Sequence, residues 1–136
     1  MIRLKGRGVV GGVAEGVAVV SKEPISFFGG VNPKTGKIIE RGHALEGVCV
    51  AGKVLIFPHG KGSTVGSYIL YAMAKNKVAP AAVINVITEP IIVVGCCLAD
   101  IPLVDKLDKN PVQSIKNGDT VRVLAYKGLV EVMDRC

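Results

Sequence analysis

The sequence holds no tryptophan, and only three phenylalanines and three tyrosines among its 136 residues. Those rings, Phe27, Phe28, Phe57, Tyr68, Tyr71 and Tyr126, do not interleave with basic residues as the stacking platforms of a single-strand binder do. Lysines and arginines never form a run of five or more, so nucleic acid is not an expected partner. The four cysteines, Cys49, Cys96, Cys97 and Cys136, show no CxxC spacing. An adjacent pair makes a poor chelating bite, so no metal ligated by this chain is expected. Reduced thiols fit a cytoplasmic location. The longest apolar run, Pro90 to Ala99, is too short to cross a bilayer, so no membrane association is expected. The first seven residues lead into a Gly/Val pattern and not into the apolar core of a signal peptide. Repeats, low-complexity segments and linkers are also missing.

What is present is a 49% hydrophobic chain with 17 glycines. A chain of this length buries roughly 68% of the surface its unfolded form exposes, which predicts one compact domain over residues 1–136 and excludes disorder. The net charge of +6 makes an anionic partner or substrate worth considering. With only two histidines, His43 and His59, the chain has few ways to assemble a complete active site on its own.

Short β-branched runs dominate the pattern. Val9 to Val20 predicts two strand pieces joined at Gly11-Gly12 or Gly16, and Val48 to Phe57 a buried strand or a strand pair broken near Gly52 and stopped by Pro58. Between them lies a loop-rich stretch with a tight turn around Asn32-Pro33 and Thr35-Gly36. Ser63 to Asn76 switches to helical spacing, with Val65, Ile69, Ala72 and Met73 on one face and Lys75 near the C-terminal end. Ala81 to Ile87 and Ile91 to Cys97 read as buried strands separated by a turn at Glu89-Pro90, which makes Cys96 and Cys97 strand residues. A short helical turn is expected after Asp105, then a closing hairpin of Thr120–Leu124 and Leu129–Met133. Together these describe an α/β fold, sheet-rich, with one main central helix.

The segment with chemical potential runs Pro58-His59-Gly60-Lys61-Gly62-Ser63-Thr64-Val65-Gly66, a glycine-rich loop between a strand and a helix. Glycines let backbone approach a ligand closely, and a helix start offers unpaired N–H groups to an anion. Lys61 adds charge, and Ser63 or Thr64 places a hydroxyl at the same point. A Walker A loop is excluded because Gly62 separates Lys61 from Ser63. The dinucleotide fingerprint fails too, because Gly60, Gly62 and Gly66 give GxGxxxG, one residue too long. What remains is capture of a phosphate or carboxylate. Ser63 caps the helix or acts as a base, and spacing leaves both open. His59 reads as a solvated loop residue or a proton relay. His43 reads as a surface residue, and neighbouring Arg41 suits a substrate phosphate.

The run PISFFGGVNPKTG (Pro24 to Gly36), the segment Gly47 to Phe57, and GKGSTVGS (Gly60 to Ser67) together resemble the small subunits of the aconitase X group. The resemblance extends over nearly the whole chain, including Glu89-Pro90, Gly95-Cys96 and Ile101-Pro102. It implies a swivelling β/β/α domain that closes over an active site shared with a large catalytic subunit in a heterodimer. That partner would carry an iron–sulfur (4Fe-4S) cluster on cysteines of its own, with no cofactor bound by this chain. The reaction implied is dehydration of mevalonate 5-phosphate to trans-anhydromevalonate 5-phosphate, in an archaeal-type mevalonate route to isoprenoids. The family's proton-accepting serine falls on Ser63, with Lys61, Gly62 and Thr64 beside the substrate. Thr64 and Val65 stand where a more serine-rich run is usual. A second group member, cis-3-hydroxyproline dehydratase, is the nearest alternative. A non-catalytic anion-binding module and a phosphohistidine carrier are the others, although a carrier would place a histidine where Val65 and Gly66 stand.

Overall fold

A computed structural model describes residues 1–133; Cys136 lies outside them. Eight strands form the sheet: β1 (Ile2–Lys5), β2 (Arg7–Val10), β3 (Val13–Val20), β4 (Val54–Phe57), β5 (Ala82–Asn85), β6 (Leu103–Asp105), β7 (Thr120–Leu124) and β8 (Leu129–Val132). Their order is β1-β8-β7-β3-β4-β5-β6-β2. The strands β3 to β6 run parallel, and the remaining pairs are antiparallel. Although β1 and β2 stand at opposite ends of that order, only Gly6 separates them in sequence. The sheet therefore curls until its ends meet. Gly6 N donates to Gly128 O at 2.8 Å, and a Cβ on Gly8 would run into the Ala125 carbonyl.

The parallel strands carry a core on each face. Leu55 and Phe57 of β4 join Val19, Val83 and Leu103 on one side, while Val54 and Ile56 join Ala18, Ile84 and Val104 on the other. This two-sided burial explains why β4 and β5 read as unbroken apolar runs. The first face is covered by α2 (Gly66–Lys75), α3 (Pro90–Ala99) and the 24–50 loops, which include the single turn α1 (Phe27–Gly30). The second face is covered by Leu4 of β1, Val121 and Val123 of β7, Val130 and Val132 of β8, and Ile115 after α4 (Pro111–Ser114). The layers are thus β/β/α.

Two expectations are corrected. Ile91 to Cys97 is not a strand but the body of α3, so the fold has two packed ten-residue helices where one was expected. β-branched residues are poor helix formers, and the local signal was misleading for that reason. The helix is imposed at its ends and along its buried face. The Glu89 carboxylate accepts from Ile91 N at 2.9 Å and Ile92 N at 3.2 Å, Pro90 occupies the first turn, and Asp100 closes the helix in the left-handed region. Ile92, Gly95 and Cys96 face inward. A Cβ on Gly95 would stand 2.5 Å from Leu70 Cδ1 and 3.2 Å from Ser67 Cα, so α3 packs on α2 at glycine range.

The second correction concerns the start of α2. The regular helix begins at Gly66, and Val65 stands exposed in the turn before it. Gly66, Ser67, Leu70 and Met73 are its buried residues. Of the two joints expected, Gly11-Gly12 is the one present, and Gly16 lies within β3; the short helix after Asp105 and the closing hairpin stand as expected. The strand β6 is only three residues long and was too short to read; it exists because β5 and β2 pair with it on both sides. No helix among the described residues is long and apolar enough to cross a membrane.

Replacing Glu89 with alanine removes both cap bonds of a helix with weak intrinsic propensity. A loss of about 1–2 kcal/mol in chemical denaturation is expected, and an unchanged midpoint would show that packing alone sets the start of α3.

Candidate active site

The loop from Pro58 to Val65 leaves the carboxyl end of β4 and is pinned before it reaches Ser63. Val86 N donates to Pro58 O at 3.0 Å, Ile25 N to His59 O at 3.3 Å, and Lys61 N to Ile25 O at 3.1 Å. Gly60 is buried against the first turn of α3, where a Cβ would press on the Glu89 carboxylate and stand 2.6 Å from Ile92 Cγ1. Gly62 has φ +87°, and a Cβ there would come within 2.6 Å of Ser26 Oγ. Both positions need glycine, one for space and one also for conformation.

Beyond Gly62 the chain turns outward, and Ser63 and Thr64 are exposed. Gly66 N donates to Ser63 O at 2.9 Å and Ser67 N to Thr64 O at 3.2 Å, which forms a tight turn leading into α2. Ser63 Oγ accepts from Val65 N at 3.1 Å. Ser63 does not cap α2, whose N-cap is Val65 with no side-chain cap; this bond ties down the turn ahead of the helix and aims an N–H dipole at the oxygen, where negative charge would be stabilised. Ser67 Oγ donates to Thr64 O at 2.8 Å, so Thr64 is held through its carbonyl and its hydroxyl has no partner among the described residues.

The charge near the loop is partly compensated. Lys61 Nζ lies 3.3 Å from Glu40 Oε2, while adjacent Arg41 is exposed and unpaired among the described residues. His59 is exposed, and its Nδ1 donates to Gly60 O at 2.7 Å. His43 is not a surface residue. Leu45 N donates to its Nδ1 at 3.0 Å, and its Nε2 donates to Pro24 O at 3.0 Å with the Glu23 carboxylate 3.7 Å away. It is a satisfied core histidine that ties two loops together, and only tertiary contacts reveal that.

Among the described residues no group of three or more His, Cys, Asp or Glu is placed to hold a metal ion. Burial pushes the Cys96 thiol up, away from the thiolate that binds metals, whereas Cys97 on the same helix is exposed. These two thiols do not fit an iron–sulfur cluster. Sequence reading passed over the Arg7–Asp105 pair. Asp105 is fully buried at the end of β6, accepts from Arg7 Nε and Nη2 at 2.9 Å each, and also takes the Thr88 N–H at 2.9 Å. Its hydrogen bonds raise the Arg7 guanidinium, and it ties β2 and β6 to the turn that starts α3.

A family model for the aconitase X swivel domain matches residues 3–132. The phosphomevalonate dehydratase small subunit of Methanococcoides burtonii is 53% identical over 134 residues, covering 98% of both chains. That of Methanocella arvoryzae is 56% identical over 131 residues, covering 96% of this chain and 99% of its own. The crystal structure of holo aconitase X from Thermococcus kodakaraensis superposes with a TM-score of 0.94 at 48% identity, covering 98% of this chain and all of that one.

Proposed function

The chain belongs to the aconitase X swivel-domain family, and on that premise we propose that it is the small subunit of a hydro-lyase that dehydrates mevalonate 5-phosphate to trans-anhydromevalonate 5-phosphate. The reaction removes a proton from one carbon and hydroxide from its neighbour, forming a double bond and releasing water. Ser63 is the proton acceptor. Its exposure at the tip of a pinned loop, with the Val65 N–H on its oxygen, is the observation that carries this role. A base presented outward, with every anchoring group behind it, is suited to a site whose other half lies on another chain.

That other half is a large subunit, in keeping with relatives named as small subunits. An iron–sulfur cluster on it would supply Lewis-acid assistance to the departing hydroxyl. On this chain Gly62, at φ +87° against Ser26, would present its backbone to the substrate, Thr64 offers a hydroxyl without a partner among the described residues, and Lys61, paired with Glu40, lies on the same loop. Closure of the domain would exclude water from the reacting carbons.

The test is to reconstitute this chain with its large subunit and assay both mevalonate 5-phosphate and cis-3-hydroxyproline. Turnover of the phosphorylated acid alone is expected. Turnover of hydroxyproline alone would sink the proposed substrate, and activity of the large subunit without this chain would sink the shared site.

A further inference from the structure

The expected phosphate ligand of the glycine loop, Lys61, is already paired with Glu40. A different part of the same sheet edge offers unpaired donors. A hollow of 520 Å³ opens where the parallel strands end: Lys22 follows β3, Pro58 and His59 follow β4, Val86 and Ile87 follow β5, and residues of the α4 segment close the far side. Carboxyl ends of parallel strands are where ligands of open α/β sheets collect.

A lysine, a histidine and two side-chain amides supply the polar lining of the hollow, and no carboxylate among the described residues lines it. Lys22 is exposed and has no ion pair among the described residues. His59 donates its Nδ1 proton to Gly60 O, which leaves Nε2 without a partner among them; that nitrogen donates to an anion on the doubly protonated ring. Asn110 Oδ1 accepts from Val112 N at 2.9 Å, which identifies the oxygen and leaves the amide N–H pair free. The side-chain amide of Gln113 makes no hydrogen bond among the described residues either. Between these donors the walls are Pro58, Val86, Ile87 and Val112. A cation, a histidine edge and amide donors around an apolar floor suit a phosphate monoester on a short aliphatic body.

We propose that this hollow receives the phosphate-bearing end of the substrate, with Lys22 and His59 as its phosphate-binding residues. The inference rests on the phosphorylated-substrate reading above. His59 and Ser63 belong to one loop and are four residues apart, at most about 14 Å of extended chain, and the turn at Gly62 shortens that further. Mevalonate 5-phosphate, six carbons on a five-carbon backbone, spans such a distance when the long Lys22 side chain reaches in to meet its phosphate. One loop then holds the substrate at its base and takes its proton at its tip.

The test is steady-state kinetics of the reconstituted two-subunit enzyme with Lys22→Ala, Lys22→Arg and His59→Gln, together with Ser63→Ala. The expected result is a tenfold or greater rise in KM for mevalonate 5-phosphate in Lys22→Ala and His59→Gln, with kcat within about twofold, and substantial recovery in Lys22→Arg. Inorganic phosphate should inhibit the wild-type pair competitively and the Lys22→Ala pair more weakly. Unchanged KM and unchanged phosphate inhibition, with Ser63→Ala still inactive, would remove the hollow from the substrate site and leave the dehydratase reading standing. If the wild-type pair does not act on mevalonate 5-phosphate, that reading falls first. The hollow is then judged by titrating this chain with inorganic phosphate: NMR shifts at Lys22, His59, Asn110 and Gln113 support an anion site, and their absence overturns it.

Discussion

Alanine at position 63 is expected to lower kcat of the reconstituted enzyme by about 10²–10⁴-fold, the usual worth of a positioned general base. The protein should fold normally. Ser63 is exposed, and its side chain makes one bond, to Val65 N, so the stability lost is about 1 kcal/mol or less. A neighbouring control separates chemistry from loop integrity. Val65→Ala keeps the backbone N–H that reaches Ser63 Oγ and trims only an exposed side chain, and should stay within a few-fold of wild type. Wild-type turnover by Ser63→Ala would take the serine out of the mechanism. Equal losses in the two variants would point to a loop that merely docks.

The largest stability effect is expected at the root of the same loop. Phe57, the last residue of β4, is fully buried, and its ring lies 6.1 Å from that of Phe27 at a tilt of 57°. Truncation to alanine leaves a cavity between the sheet and the layer over it, and costs about 3–5 kcal/mol. For a chain of this size that is a fall in melting temperature of roughly 10–20 °C. Because Pro58 follows directly and the Phe57 carbonyl accepts from Asn85 Nδ2 at 3.1 Å, the placement of Ser63 should loosen as well. Phe57→Ala is therefore expected to lose kcat under conditions where it is still folded. A loss below 1 kcal/mol would mean that the neighbours collapse into the space and that the loop does not depend on this anchor.

The two effects have different visibility in sequence. Ser63 stands out because glycines at 60, 62 and 66 frame a strand-to-helix junction, a local pattern with a local cause. Why each glycine is there was not visible: Gly60 answers to Glu89 and Ile92 from α3, and Gly62 to Ser26. Lys61 reads as a free cation until Glu40, twenty-one residues away, is placed beside it. His43 reads as solvated until Pro24 and Leu45 enclose it.

The fold shows the same division. Composition and β-branched runs by themselves determined a sheet-rich α/β chain, a glycine joint within Val9 to Val20, its glycine loop and its closing hairpin, because these depend on neighbours within a few residues. Tertiary structure alone decided that Ile91 to Cys97 is helical. There a Glu89 cap and the close fit of Gly95 on Leu70 outweigh the strand preference of Ile and Val. It also decided that the sheet closes at Gly6 and that Lys22 and His59 line one hollow. Such features depend on pairings between distant segments, whose energies enter only when the chain is packed.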